Sequence, residues 1–445
     1  MKAVFLYGFF VSVIPRLTAI NSKTVSFPHY SLYLASPDNN NQGQNVLKNK
    51  TLGSMLIVAG TTIGAGMLAL PIASAGLGFS TAIALLAITW LLMTYTALLM
   101  LEVHQYADQD ATLNTLAKNL LGKTGQYVAN FSMVFLFYAL CAAYIAGGGA
   151  QLQTKLVGMM GDGITPQLGS VLLAVIIATI VTLGTSTVDK LNQLLFTIKV
   201  IVLASLFFIL TPYVHGQHLI DMPVEQGLVI AAIPVVFTSF GFHGSIPSIV
   251  KYVGVDIRQL RKVMMLGASL PLIIYVFWQL LSQGVMGQES LMASEGLPGF
   301  VTSISSIAHN DNVQLFVTIF ADLALATSFL GVSLGLFDFF ADAFKKQDTK
   351  KDRVKTAFIT FLPPLGFALF YPKGFIMALG YAAIALVVLA VFLPVAMVWK
   401  QRKARGNDGY QVKGGTLGLG LAAAFGVMII ASQLMQMAGL IPSLG

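Results

Sequence analysis

The sequence predicts an all-α integral membrane protein of eleven transmembrane helices, and composition, segment length and loop charge each lead there. Of 445 residues, 56% are hydrophobic and only 10% are charged, against roughly 25% charged in soluble domains. Runs of about 20 apolar residues, the length that crosses a hydrocarbon core as a helix, alternate with short polar pieces. Those polar pieces are basic on every second crossing, as the positive-inside bias of membrane insertion demands.

The eleven segments are 52–76, 78–103, 126–154, 167–187, 191–213, 228–250, 260–284, 312–342, 355–370, 374–399 and 416–438. Loops 104–125, 251–262, 344–355 and 400–413 carry Lys118, Lys123, Lys251, Arg258, Arg261, Lys262, the run Lys345 to Lys355, and the run Lys400 to Lys413. The alternate loops hold Lys155 and Lys373 beside Asp162, Asp221, Glu225, Glu289 and Glu295. This alternation puts Lys48 and Lys50 in the cytoplasm and the C-terminus outside. It also disposes of the formal charge of +8 as a nucleic-acid surface, which would gather its charge on one domain. The sequence points to no obligate protein partner. The single cysteine, Cys141, lies in an apolar run and excludes an intramolecular disulfide or a cysteine-rich metal site.

Residues 1–47 stand outside this scheme. MKAVFLYGFFVSVIPRLTA has the look of a short signal peptide, but cleavage would deliver the next segment from the wrong side. SPDNNNQGQN then reads as disorder. The segment is expected to be a disordered N-terminal extension that reflects a misassigned start codon, with the membrane domain spanning 48–445.

The first segment contains GTTIGAGMLALP at 60–71, an odd composition for a lipid-facing helix. Glycine costs a helix about 1 kcal/mol relative to alanine, and unwound backbone is tolerated at membrane depth only where protein encloses it. Gly60, Gly64 and Gly66 therefore mark either close helix packing or a break. The sixth segment repeats the feature with FTSFGFHGSIPS at 237–248. First and sixth of eleven are corresponding positions if 52–213 and 228–399 are two five-helix repeats of inverted topology, followed by an eleventh helix at 416–438. Paired interruptions of this kind point to a transporter's binding site. Freed N–H groups at a half-helix N-terminus receive a carboxylate, and freed carbonyls hold an ammonium or a cation.

GTTIGAGMLALP, SFGFHGSIPSIVKY, ADLALATSFLGVSLGLFDFFAD and TFLPPLGFALFYPKGF, in this order, resemble the hydroxy/aromatic amino acid permease family of the amino acid–polyamine–organocation superfamily. The resemblance runs from about Lys48 to the end and is nearest to the tyrosine-specific members. It implies a leucine-transporter-like fold with helices 1 and 6 broken at mid-membrane, and proton-driven import of an aromatic amino acid, L-tyrosine first. Tryptophan or broad aromatic permeases of the same family are the alternative, and an uncoupled amino acid channel or facilitator is a different class. A channel would show a continuous polar stripe along several helices, whereas the polar residues here gather near mid-membrane.

Placed on these motifs, the substrate-binding candidates are Thr61, Thr62, Gly64, Ala65 and Gly66 in the first break and Ser239, Phe240, Gly241, Phe242 and His243 in the second. Tyr138 in the third segment is a further candidate, as gate or stacking partner alongside Tyr144, or as ordinary packing. Asp322 is the candidate for reading a tyrosine hydroxyl, with helix packing as the competing role. Lys199 stands eight residues into its segment, roughly 12 Å deep, and either snorkels to the surface or takes part in coupling. In sodium-coupled members of the superfamily, hydroxyls like those of Thr327 and Ser328 help hold the ion, and resemblance makes these two with Lys199 the proton-coupling set. Glu102, Asp338 and Asp342, near the cytoplasmic ends, are expected to be hydrated or paired. No HExxH, GxSxG or phosphate-binding glycine loop is present, so neither an enzyme, nor a metal, nor a cofactor other than the proton is expected.

Overall fold

The computed structural model describes residues 40–161, 165, 167–308, 311–344, 349–406, 408–442 and 444. Among them the ordered elements are all helical. In chain order these are α1 (Asn40–Thr62), α2 (Ala65–Ala73), α3 (Phe79–His104), α4 (Leu113–Met160), α5 (Leu168–Leu183), α6 (Thr185–Leu210), α7 (Gln226–Ser239) and α8 (Ile246–Val253). They continue with α9 (Ile257–Met292), α10 (Gly296–Ala308), α11 (Asp311–Ala343), α12 (Lys350–Phe370), α13 (Phe375–Val387), α14 (Leu393–Arg405) and α15 (Gly415–Met437). Helix satisfies every backbone group within its own segment, which is why apolar runs in lipid adopt it.

Each of the eleven apolar segments carries helix. Eight helical stretches are long and apolar enough to cross a membrane, and α1 with α2 forms one further candidate, bent by 52° at its break. The shorter α5 and the charged start of α12 fall outside that test. The protein is therefore a multi-pass helical membrane protein. The helix α1 begins at Asn40, inside the stretch expected to be disordered, and the remainder of that expectation lies outside the described residues.

Local sequence sets the helix ends. Thr112 caps α4 by accepting from Thr115 N, Asp256 caps α9 by accepting from the amides of Arg258 and Gln259, and Thr349 caps α12 through Asp352 N. The 48 residues of α4 would measure about 72 Å if straight, more than twice a hydrocarbon core. Gly122, at φ 78°, turns its first part away from the span. The connection between the seventh and eighth segments contains α10, which the apolar pattern did not mark as an element. Its buried Leu297, Phe300, Val301 and Ile304 form one helical stripe, with Phe300 6.0 Å from Trp278.

Three features position the site. The pairs α4 with α13 and α6 with α11 make the most extensive packing between helices. Helix α9 lies against α1, α2 and α3, closing a group around the two broken segments. A π-helical turn, Val388–Phe392, interrupts the tenth segment beside the second break, and such insertions recur at functional sites.

Candidate functional site

The first break is two residues wide. Helix α1 ends at Thr62, Ile63 and Gly64 leave the helix, and α2 starts at Ala65. In the second, α7 ends at Ser239, residues 240–242 are non-helical, and a 3-10 turn His243–Ser245 leads into α8. Both breaks open on one cavity of about 360 Å³, within the roughly 300–1,000 Å³ usual for small-molecule sites. Its lining includes Thr61, Thr62, Gly64, Ala65, Gly66, Ser239, Gly241, Phe242 and His243, joined by Lys199, Thr327 and Ser328. Tyr144, Phe137 and Leu386 supply apolar wall, and Asn114, Asn192, Asp338 and Asp342 line it toward the end of α11.

The freed helix ends are held by specific side chains. Lys199 Nζ donates to Ile63 O at 2.9 Å and to Thr327 Oγ1 at 3.1 Å. Thr327 can accept because its own proton goes back to Leu323 O at 2.8 Å. With 2% exposure, Lys199 does not snorkel. Its ammonium occupies the space between α1, α6 and α11. Ser328 Oγ accepts from Ala65 N, the first amide of α2, at 3.2 Å. Tyr275 on α9 reaches both breaks, with its hydroxyl 2.6 Å from Thr62 O and 2.7 Å from Ser239 O. Ser239 Oγ in turn lies 3.0 Å from Gly66 O. The two breaks are thus tied to each other and to the surrounding helices.

Gly64 is extended rather than left-handed, at φ −156° and ψ −145°, and neither it nor Gly241 has a positive φ. Left-handed backbone is therefore not what calls for glycine at these two positions. Gly64 is there for room: a Cβ on it would collide with Ser328 Oγ.

Three sequence candidates lie elsewhere. Asp322 is absent from the cavity wall; its carboxylate pairs with Lys155 Nζ on α4, both side chains being more than a third exposed. A lysine one helix away pairs with this acid. Tyr138 also lies off the cavity, donating to Ile359 O at 2.8 Å. Six residues on, Tyr144 is the tyrosine that faces the cavity. Phe240 is fully buried behind the break, edge-on to the Tyr275 ring at 5.1 Å. Glu102 is bound bidentately by Arg402 at 2.6 and 2.7 Å and accepts from Val412 N at 2.8 Å, which makes it a fastening between α3 and α14. Tyr275 escaped the sequence reading, although a tyrosine in the apolar run LPLIIYVFW needs a partner for its hydroxyl.

Two broken helices meeting on one cavity, inside a multi-pass helical protein, define the class as a membrane permease. Residues 47–433 match the tryptophan/tyrosine permease family, and the chain belongs to it. It is 41% identical over 399 residues to tyrosine-specific transport system 1 of Haemophilus influenzae, covering 88% of this chain and 99% of that protein. It is 35% identical over 401 residues to the tryptophan-specific transport protein of the same organism, covering 86% and 95%. A tyrosine permease of Enterobacter agglomerans is 30% identical over 403 residues, covering 88% and 97%. The chain is accordingly an amino acid permease of a bacterial membrane and not an enzyme.

Proposed function

We propose that this permease imports L-tyrosine with a proton across the bacterial inner membrane by alternating access. The observation that carries the reading is the meeting of both breaks on a single cavity with apolar walls. Carbonyls at the ends of α1 and α7 suit an ammonium, amides at the start of α2 suit a carboxylate, and Tyr144, Phe137 and Leu386 suit an aromatic ring. Lys199 supplies the coupling group. Fixed between Ile63 O and Thr327, it stands where a cation would bridge the first and eighth spans, and its amine can release and regain a proton.

The architecture in this reading is eleven spans with spans 1–5 and 6–10 as inverted repeats. The packing supports it, because a shift of five spans exchanges the third-with-tenth contact (α4 with α13) for the eighth-with-fifth contact (α11 with α6). The basic loops place the N-terminal side in the cytoplasm and the C-terminus in the periplasm. The cavity, whose lining reaches Thr112 before α4 and Asp342 near the end of α11, then faces inward. Transport moves the group of spans 1, 2, 6 and 7 against the rest. No cofactor or protein partner enters this cycle. The identity to tryptophan-specific relatives favours tryptophan as the second substrate reading.

The experiment is uptake of labelled tyrosine into proteoliposomes with and without an imposed pH gradient, against tryptophan and phenylalanine as competitors. Gradient-driven accumulation and trans-stimulated exchange are expected. Uptake that neither accumulates nor exchanges would replace the symporter with a facilitator.

A further inference from the structure

His243 opens the second half of the sixth span and is 3% exposed on the cavity wall. Its Nε2 lies 2.9 Å from Thr96 Oγ1 on α3. The Thr96 hydroxyl is itself 3.1 Å from Leu92 O and 3.3 Å from Met93 O. The other ring nitrogen, Nδ1, is buried and has no partner among the described residues.

These contacts favour one tautomer. Carbonyl oxygens only accept, and with the Thr96 proton on Leu92 O or Met93 O its Oγ1 offers a lone pair to Nε2. In a neutral imidazole Nε2 then carries the one N–H, and Nδ1 is left as a bare acceptor. The opposite tautomer would bury an N–H with nothing to receive it, the rarer kind of orphan in folded proteins. An unpaired acceptor on a histidine of the cavity wall is a group that a substrate donor can satisfy.

We propose that His243 Nδ1 reads the ring donor of the substrate, accepting from the phenolic O–H of tyrosine or the indole N–H of tryptophan. The proposal rests on the aromatic amino acid reading of this cavity and assigns its selectivity against phenylalanine, whose ring offers no donor. It also gives tyrosine and tryptophan a shared recognition element, since both rings present one polar hydrogen. Asp322, occupied by Lys155, has no part in it. The other unpartnered acceptors on the wall, Asn114 Oδ1 and Asn192 Oδ1, sit on the early turns of α4 and α6. Asn192 precedes Lys199 by about 10 Å of helix, away from the breaks.

The test uses the full-length protein in proteoliposomes, with labelled tyrosine displaced by tyrosine, tryptophan, phenylalanine and 4-fluorophenylalanine. Phenylalanine and its fluoro analogue leave Nδ1 unpaired and are expected to compete about 5- to 150-fold more weakly than tyrosine, the range for an unsatisfied buried polar group. In His243→Leu the tyrosine-to-phenylalanine ratio is expected to fall toward one, because the acceptor is removed. Thr96→Val, which releases Nε2, should reduce the ratio while leaving the imidazole in place. The analogue series on the unaltered chain stands even if His243→Leu does not fold. Equal competition by phenylalanine and tyrosine in the unaltered chain, or an unchanged ratio in His243→Leu, overturns the proposal. Failure of every aromatic amino acid to compete would instead overturn the functional reading beneath it.

Discussion

Lys199 Nζ donates to the carbonyl of Ile63 at 2.9 Å, across the gap between α6 and the break after α1. The bond places a cation at the C-terminal end of α1, where the helix carbonyls are unpaired and the dipole is negative. The same ammonium holds Thr327 on α11 and lies over the Phe196 ring at 4.7 Å. One titratable group therefore links α1, α6 and α11, and deprotonation would weaken all of these contacts together.

Lys199→Ala should abolish accumulation of tyrosine driven by an imposed pH gradient while leaving exchange measurable. Lys199→Arg keeps the charge but does not release a proton at any working pH, so it should also fail to couple. Gradient-driven uptake in proteoliposomes checks both, and parental accumulation by the arginine variant would send the proton elsewhere.

Gly64→Val should remove uptake with the protein still in the membrane. Its side chain would meet Ser328 Oγ and displace the hydroxyl that accepts from Ala65 N. Gly241→Ala should be milder, because its Cβ would meet Thr238 O at 3.1 Å and the flexible Leu386 Cδ2 at 3.2 Å. Initial uptake rates, normalised to protein in the membrane fraction, separate the two. Equal rates would show that room at Gly64 is not what the site needs.

The fold was legible in the sequence wherever it depends on one-dimensional patterns. Every segment that apolar length marked carries helix, although α10 went unmarked, and glycine with proline marked Gly64 and Gly241 as breaks, because unwinding leaves a local signature. Partnership between distant segments leaves none. Asp322 and Glu102 look alike as acids in apolar runs, yet one meets Lys155 and the other Arg402, and only the packing decides which. Tyr138 and Tyr144 are six residues apart, and six residues carry a side chain to a different face of a helix. One therefore bonds Ile359 O while the other faces the cavity. Tyr275 needed both breaks in place before its hydroxyl had a meaning.

Glu102→Gln should destabilise the protein by about 3–5 kcal/mol, the usual effect of breaking a buried ion pair. Glu102 is 1% exposed, and its two oxygens take Arg402 and Val412 N. Thermal unfolding of the detergent-purified protein should show a lower midpoint with unchanged substrate preference. A parental midpoint would mean that Arg402 finds compensation in water.

Asp322→Leu should leave the tyrosine-to-phenylalanine ratio unchanged. Its partner Lys155 is 36% exposed and Asp322 itself 39%, so the pair contributes about 0–1 kcal/mol at most. Competition assays on the variant check this, and a lost tyrosine preference would return the acid to the substrate site.

Tyr275→Phe isolates one hydroxyl. The ring is fully buried and would keep its edge contact with Phe240 at 5.1 Å. What disappears is the only proton between Thr62 O, 2.6 Å away, and Ser239 O, 2.7 Å away. Both carbonyls close helices whose last acceptors have no partner within the helix, so the loss leaves buried acceptors unsatisfied at a cost of about 1–3 kcal/mol. The melting midpoint of the empty protein should fall accordingly. An ammonium bound at the breaks would supply those carbonyls with donors again. Tyrosine should therefore raise the midpoint of Tyr275→Phe by more than it raises that of the parent. Equal shifts in the two proteins would place the substrate's ammonium away from Thr62 and Ser239, and an unchanged midpoint would show that Tyr275 does not hold the breaks together.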